Sequence, residues 1–137
     1  MGLFQTLFQR YSQQCETSEK HSDEQLLTRY YKATADQALS SLQEVFSNQR
    51  NYKIRSVSKE HGEMFIETLT SPKIFLVATC ITVKPFETAV DFTASSDKKS
   101  IAGIYPALRK QISEAYGGLD QKLTTIGAGK RGRGIRP

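Results

Sequence analysis

The sequence predicts an α+β fold: an antiparallel meander of four to five strands, ordered β-α-β-β-β-β-α, with two helices on one face and an N-terminal amphipathic helix. Two stretches, 35–48 and 106–119, repeat apolar residues at spacings of three and four. Between them, residues 52–94 change to a period of two. At 137 residues the chain has one domain's worth of core and too little for two.

Leu3, Phe4, Leu7, Phe8 and Tyr11 fall on one helical stripe with Gln5, Gln9 and Arg10 opposite, so residues 1–13 read as a short amphipathic helix. Residues 14–25 are polar and read as a linker. Thr28, Tyr30 and Tyr31 favour a strand, although Ser22 with Gln25 could also cap an upstream extension of the next helix. The strand is preferred, because Thr34 and Gln37 have the capping-box spacing that starts a helix at Ala35. Ala38, Leu42, Val45 and Phe46 then mark its buried side.

Tyr52–Ser58 and Met64–Leu69 flank Lys59-Glu60-His61-Gly62, whose glycine accepts positive φ, and so form a hairpin. Thr70-Ser71-Pro72 turns into a long run from Lys73 to Val83, and Lys84-Pro85 turns into Phe86–Ala94. Phe86, Thr88, Val90 and Phe92 alternate with Glu87, Ala89, Asp91 and Thr93, which predicts one wet face. Ile74–Ile81 is instead apolar at both parities and must be covered on both sides. Leu108, Ile112, Ala115 and Leu119 mark the last helix, with Pro106 in its first turn and Gly117-Gly118 as its stop. The domain therefore spans 26–123, and 124–137 is a flexible basic tail.

A composition of 38% hydrophobic and 24% charged residues excludes a disordered chain, and no apolar run approaches the ~18 residues of a membrane span. The net charge of +5 is concentrated: Lys130, Arg131, Arg133 and Arg136 supply four of the five. A globally basic binding face is not supported. Cys15 and Cys80 form no metal or redox motif, and the N-terminus has no signal-peptide pattern, so the expected compartment is the cytoplasm.

Chemistry-bearing motifs are sparse. Gly127-Ala128-Gly129-Lys130 lacks the second half of a phosphate loop. The Gly/Arg tail offers a nucleic-acid contact through Lys130, Arg131, Arg133 and Arg136, without interleaved aromatics. Met1-Gly2 with Thr6 matches an acylation pattern, but the adjoining stripe suits docking on protein better than membrane contact, since only Arg10 would attract anionic lipid. His21 and His61 have no partners at ligand spacing, Cys80 reads as a small buried apolar residue, and Glu67, Glu87 and Asp91 read as a solvated sheet face. No catalytic residue, metal or cofactor is expected.

Thr28-Arg29-Tyr30-Tyr31-Lys32, Val57-Ser58-Lys59-Glu60-His61-Gly62-Glu63 and Thr82 through Phe92 (TVKPFETAVDF) together resemble a group of small cytosolic proteins of Gram-positive bacteria. The resemblance spans roughly 26–123. It implies a bacterial cytosolic location and a β-α-β4-α domain, and brings no catalytic residues with it.

The expected function is non-catalytic binding through apolar surface, with Leu3, Phe4, Leu7, Phe8, Phe75, Val77 and Ile81 as contacts and a protein partner or a second copy as occupant. Nucleic-acid binding by the tail is one alternative. A small-ligand carrier or enzyme with a pocket between sheet and C-terminal helix, lined by Phe92, Tyr105 and Tyr116, is the other.

Overall fold

A computed structural model describes residues 13–96 and 104–129. The elements are β1 (Gln13–Glu16), a 3₁₀ turn (Glu24–Leu26), β2 (Arg29–Tyr31), α1 (Ala35–Ser47), β3 (Tyr52–Ser58), β4 (Glu63–Thr68), β5 (Ile74–Lys84), β6 (Glu87–Ser96), α2 (Ile104–Asp120) and β7 (Thr125–Ala128). Its α+β class and antiparallel sheet with two helices agree with the sequence. The expected N-terminal helix, with Leu3, Phe4, Leu7 and Phe8, and the tail residues Lys130, Arg131, Arg133 and Arg136 lie outside the described residues.

Among the described residues seven strands form the sheet, in the order β3-β4-β5-β6-β2-β7 with β1 also on β6, instead of the four or five expected. The two additions lie where the sequence suggested linker and tail. β1 contributes one core side chain, Cys15, and β7 is a four-residue TIGA segment, so neither shows a period long enough to detect. Both are held by pairing: Cys15 opposite Ala94, and Tyr30 opposite Gly127. The last strand is reached by a crossover, so the sheet is not a simple meander.

Local chemistry sets the element boundaries. Thr34 Oγ1 accepts from Gln37 N at 3.1 Å while Gln37 Oε1 accepts from Thr34 N at 2.9 Å, closing the capping box of α1. Gly62 has φ of 66°, and a Cβ there would lie 2.2 Å from the carbonyl oxygen of Cys80, so only glycine lets the β3–β4 turn close against β5.

Both helices pack on the face formed by Met64, Ile66, Leu76, Ala78, Val90 and Phe92, all buried. Tyr116 anchors α2 there: its ring meets Phe92 edge-on with centroids 4.8 Å apart, and its hydroxyl donates to the Val90 carbonyl at 2.7 Å. The expected stop at Gly117-Gly118 is wrong, because α2 continues to Asp120. Gly118 serves packing: a Cβ there would sit 2.8 Å from Val45 Cγ1, on a β-branched side chain with little freedom in α1.

The two glycines give a controlled comparison. Gly118→Ala should cost about 1–3 kcal/mol in urea unfolding, with part recovered in the double variant with Val45→Ala. Gly117 meets nothing within 4 Å, so Gly117→Ala should stabilise by about 0.5–1 kcal/mol. Equal effects at the two positions would contradict the close helix contact.

Candidate apolar contact surface

A strand's side chains alternate between faces, so β5 offers Ile74, Leu76, Ala78 and Cys80 to the helices and Phe75, Val77, Thr79 and Ile81 to the opposite face. The inner set is buried throughout. The outer set is graded. Phe75 is half-buried beside Phe65, with ring centroids 5.9 Å apart, and Val77 is 4% exposed, whereas Ile81 is 54% exposed. The expectation of cover along both sides of Ile74–Ile81 is thus met at Val77 and fails at Ile81.

Beyond Ile81 the hairpin projects. Residues 81–86 are all exposed, including Val83 at 41% and Phe86 at 64%. β4 pairs with β5 only as far as Thr79, after which Cys80 N donates to the Gly62 carbonyl at 2.7 Å and no described strand lies on that side. Alternation of the ladder aims the Thr82 N–H to the same open side. Lys84 pairs with Glu87 across the tip, and their charged ends lie 3.7 Å apart. Pro85 occupies the first central position of this turn and leaves Phe86 at the second, with φ of 59°.

A phenylalanine in the left-handed region costs roughly 1–2 kcal/mol through Cβ crowding, and here its largely exposed ring gains little burial to offset that. Strand periodicity placed Phe86 in β6 and missed it as a surface feature. The available signal was Lys84-Pro85, because proline at the first turn position commonly precedes a residue with positive φ.

The other sequence candidates lie apart from this surface. Phe92 and Tyr116 are fully buried and fill the space between sheet and α2 with their own contact. Tyr105, more than a third exposed, lies in the first turn of α2. Burial pushes the thiol of Cys15 up and that of Cys80 up to about 12, so both remain protonated at neutral pH. Among the described residues no group of three His, Cys, Asp or Glu could hold a metal ion, and no helix is long and apolar enough to cross a membrane. An open groove of about 540 Å³ runs between α1 and the α2–β7 turn, edged by Lys32, Asp36, Ser40 and Lys122.

Carboxylates expected on a wet face are tied down. Glu67 is buried and lies 3.4 Å from Arg55 and 3.6 Å from Lys73. Glu87 is buried as well. Asp91 Oδ1 accepts from the Thr17 hydroxyl at 2.7 Å and the Thr28 hydroxyl at 2.5 Å, which fastens β1 and β2 to β6. Burial holds the Asp91 carboxyl above its ordinary value, against the pull of those two bonds.

No family model matches the chain, and no curated protein matches it. Solved structures that share the fold include two at low identity. The crystal structure of the di-domain ARO/CYC BexL from the BE-7585A biosynthetic pathway is 11% identical, with a TM-score of 0.58 over 80% of this chain and 46% of BexL. This chain therefore spans about half of that protein. TTHA0849 from Thermus thermophilus is 9% identical, with a TM-score of 0.50 over 80% of this chain and 96% of its own. At such identities the likeness is one of fold.

Because Asp91 binds its proton more tightly in the folded chain, folding should gain stability as pH falls through its raised value, and the gain should end below 3.8, the unfolded value. Asp91→Asn keeps an oxygen to accept from both threonines and removes the titration. Urea unfolding between pH 7 and 4 should show the wild type gaining on this variant as the solution is acidified. A wild type that loses ground instead would contradict the assignment.

Proposed function

We propose that the chain is a non-catalytic binding module whose contact surface is the projecting end of the β5–β6 hairpin. The observation that supports this most is the exposed run from Ile81 to Phe86, with three large apolar side chains and a backbone strained to hold the third outward. Monomeric surfaces scatter such residues singly.

The occupant is a second copy of the chain. The open edge at Thr82 offers a backbone donor to an incoming strand, the mode by which sheets take up an extended segment. Antiparallel pairing about a two-fold axis through Thr82 sets Ile81 of one copy against Val83 of the other, and keeps Lys84 away from its own counterpart. Apolar groups meet and like charges do not.

A small-ligand site between sheet and α2, the reading closest to the BexL likeness, has less support. The buried Phe92–Tyr116 contact would have to part to admit a ligand. Nucleic-acid binding through Lys130, Arg131, Arg133 and Arg136 is a separate proposal with no described residue behind it.

Phe86→Gly separates the two roles of that position. Glycine accepts the positive φ but loses more chain entropy on folding, so this variant should keep the wild-type stability to within about 1 kcal/mol while its self-association weakens. Ile81→Ser should weaken association with little change in stability. Light scattering over a concentration series checks both, and a mass of 15.4 kDa for the unmutated chain at every concentration would refute the proposal.

A further inference from the structure

The groove of about 540 Å³ between α1 and the α2–β7 turn shares no residue with the β5–β6 hairpin, and its walls come from three separate parts of the chain. Those walls are pinned. The Lys32 N–H donates to the Thr124 carbonyl at 2.9 Å, which fixes the exit of β2 against the start of β7. The backbone amides of Lys122 and Leu123 both donate to the Leu119 carbonyl at 3.0 Å, and the Lys122 ammonium lies 3.0 Å from the Glu44 carboxylate, which holds the end of α2 against α1. The volume falls within the roughly 300–1,000 Å³ of small-molecule sites.

The lining states a ligand chemistry. Ser40, Ser41 and Thr124 bring hydroxyls, and Gln37, whose Oε1 is taken by the Thr34 N–H, still has its amide hydrogens to donate. Lys32 and Lys122 bring two positive charges against the single carboxylate of Asp36. Lys122 is partly neutralised by Glu44, whereas Lys32 makes no ion pair among the described residues. Leu123 is the one apolar side chain in the lining, and no aromatic ring joins it, so neither a nucleobase nor an apolar molecule would find a face to stack on.

We propose that this groove is a binding site for a sugar phosphate. The phosphate is recognised by Lys32 and Lys122 as point charges, and the sugar hydroxyls exchange hydrogen bonds with Asp36, Gln37, Ser40 and Thr124. Asp36 decides the class: a carboxylate repels a bare anion but accepts from a hydroxyl, so the site favours an anion that carries hydroxyl groups over inorganic phosphate. This site is independent of the hairpin contact and stands or falls apart from it.

Amide chemical shifts of the isotope-labelled full chain, titrated separately with ribose 5-phosphate, glucose 6-phosphate, ribose and inorganic phosphate, test this. Either sugar phosphate should move the signals of Lys32, Asp36, Ser40, Ser41 and Thr124 saturably in the millimolar range, and ribose should move none. Lys32→Gln, at an exposed position that leaves the α1 and α2 signals in place, should weaken sugar-phosphate binding roughly tenfold. Asp36→Asn should weaken it too while strengthening the response to inorganic phosphate. Ile81→Ser should change nothing here. The proposal is overturned if neither sugar phosphate gives saturable shifts at these residues, if Lys32→Gln leaves the response intact, or if inorganic phosphate binds the unmutated chain as tightly as the sugar phosphates.

Discussion

A strand has two faces, and one that is apolar on both seeks cover on both, which this structure gives in full on the inner face and only in part on the outer. β5 is such a strand, and the rest of the architecture can be understood from its needs. Its inner residues Ile74, Leu76, Ala78 and Cys80 set where α1 and α2 must lie. Its ladder with β6 runs from Ile74 opposite Ser96 to Lys84 opposite Glu87, and β6 then carries β1 and β2 on its far side. Burial of the inner face is the main driving force for this arrangement, and polar bonds fix its geometry.

Those polar bonds concentrate on the two ends of α2. At its start, Arg109 donates twice to Asp23, at 2.6 and 3.2 Å, tying the helix to the 3₁₀ turn and holding the Asp23 carboxyl below its usual range. At its end, Asp120 accepts from Arg29 and from the Tyr31 hydroxyl, each at 2.6 Å, while the Arg29 guanidinium lies 4.4 Å from the centre of the Tyr116 ring. β2, only three residues long, is thereby locked both to the sheet and to the helix.

Periodicity made α1, α2 and the strands from β2 to β6 legible, and the two-sided apolar character of β5 was legible with them. β1 and β7 were not, because a four-residue strand whose partners lie far along the chain leaves almost no local pattern; Cys15 opposite Ala94 is a tertiary fact. Gly117-Gly118 read as a helix stop because glycine is a weak helix former, yet the contact of Gly118 with Val45 overrides that preference. Of the exposed hairpin, Ile81 belonged to the run apolar at both parities and was expected to be covered, whereas Phe86 was hidden in a strand pattern that the turn at Pro85 interrupts. Glu67, Glu87 and Asp91 were misjudged as solvated because alternation tells which face a residue takes and not whether that face is wet.

Pairing of the open edge and apolar tip of the β5–β6 hairpin with another copy of the chain is tested most directly by amide hydrogen exchange across Ile81 to Lys84, followed as protein concentration is raised. Exchange there should slow with concentration while the already paired Ile74–Thr79 segment stays constant. Exchange that remains fast and independent of concentration would contradict self-association through this edge.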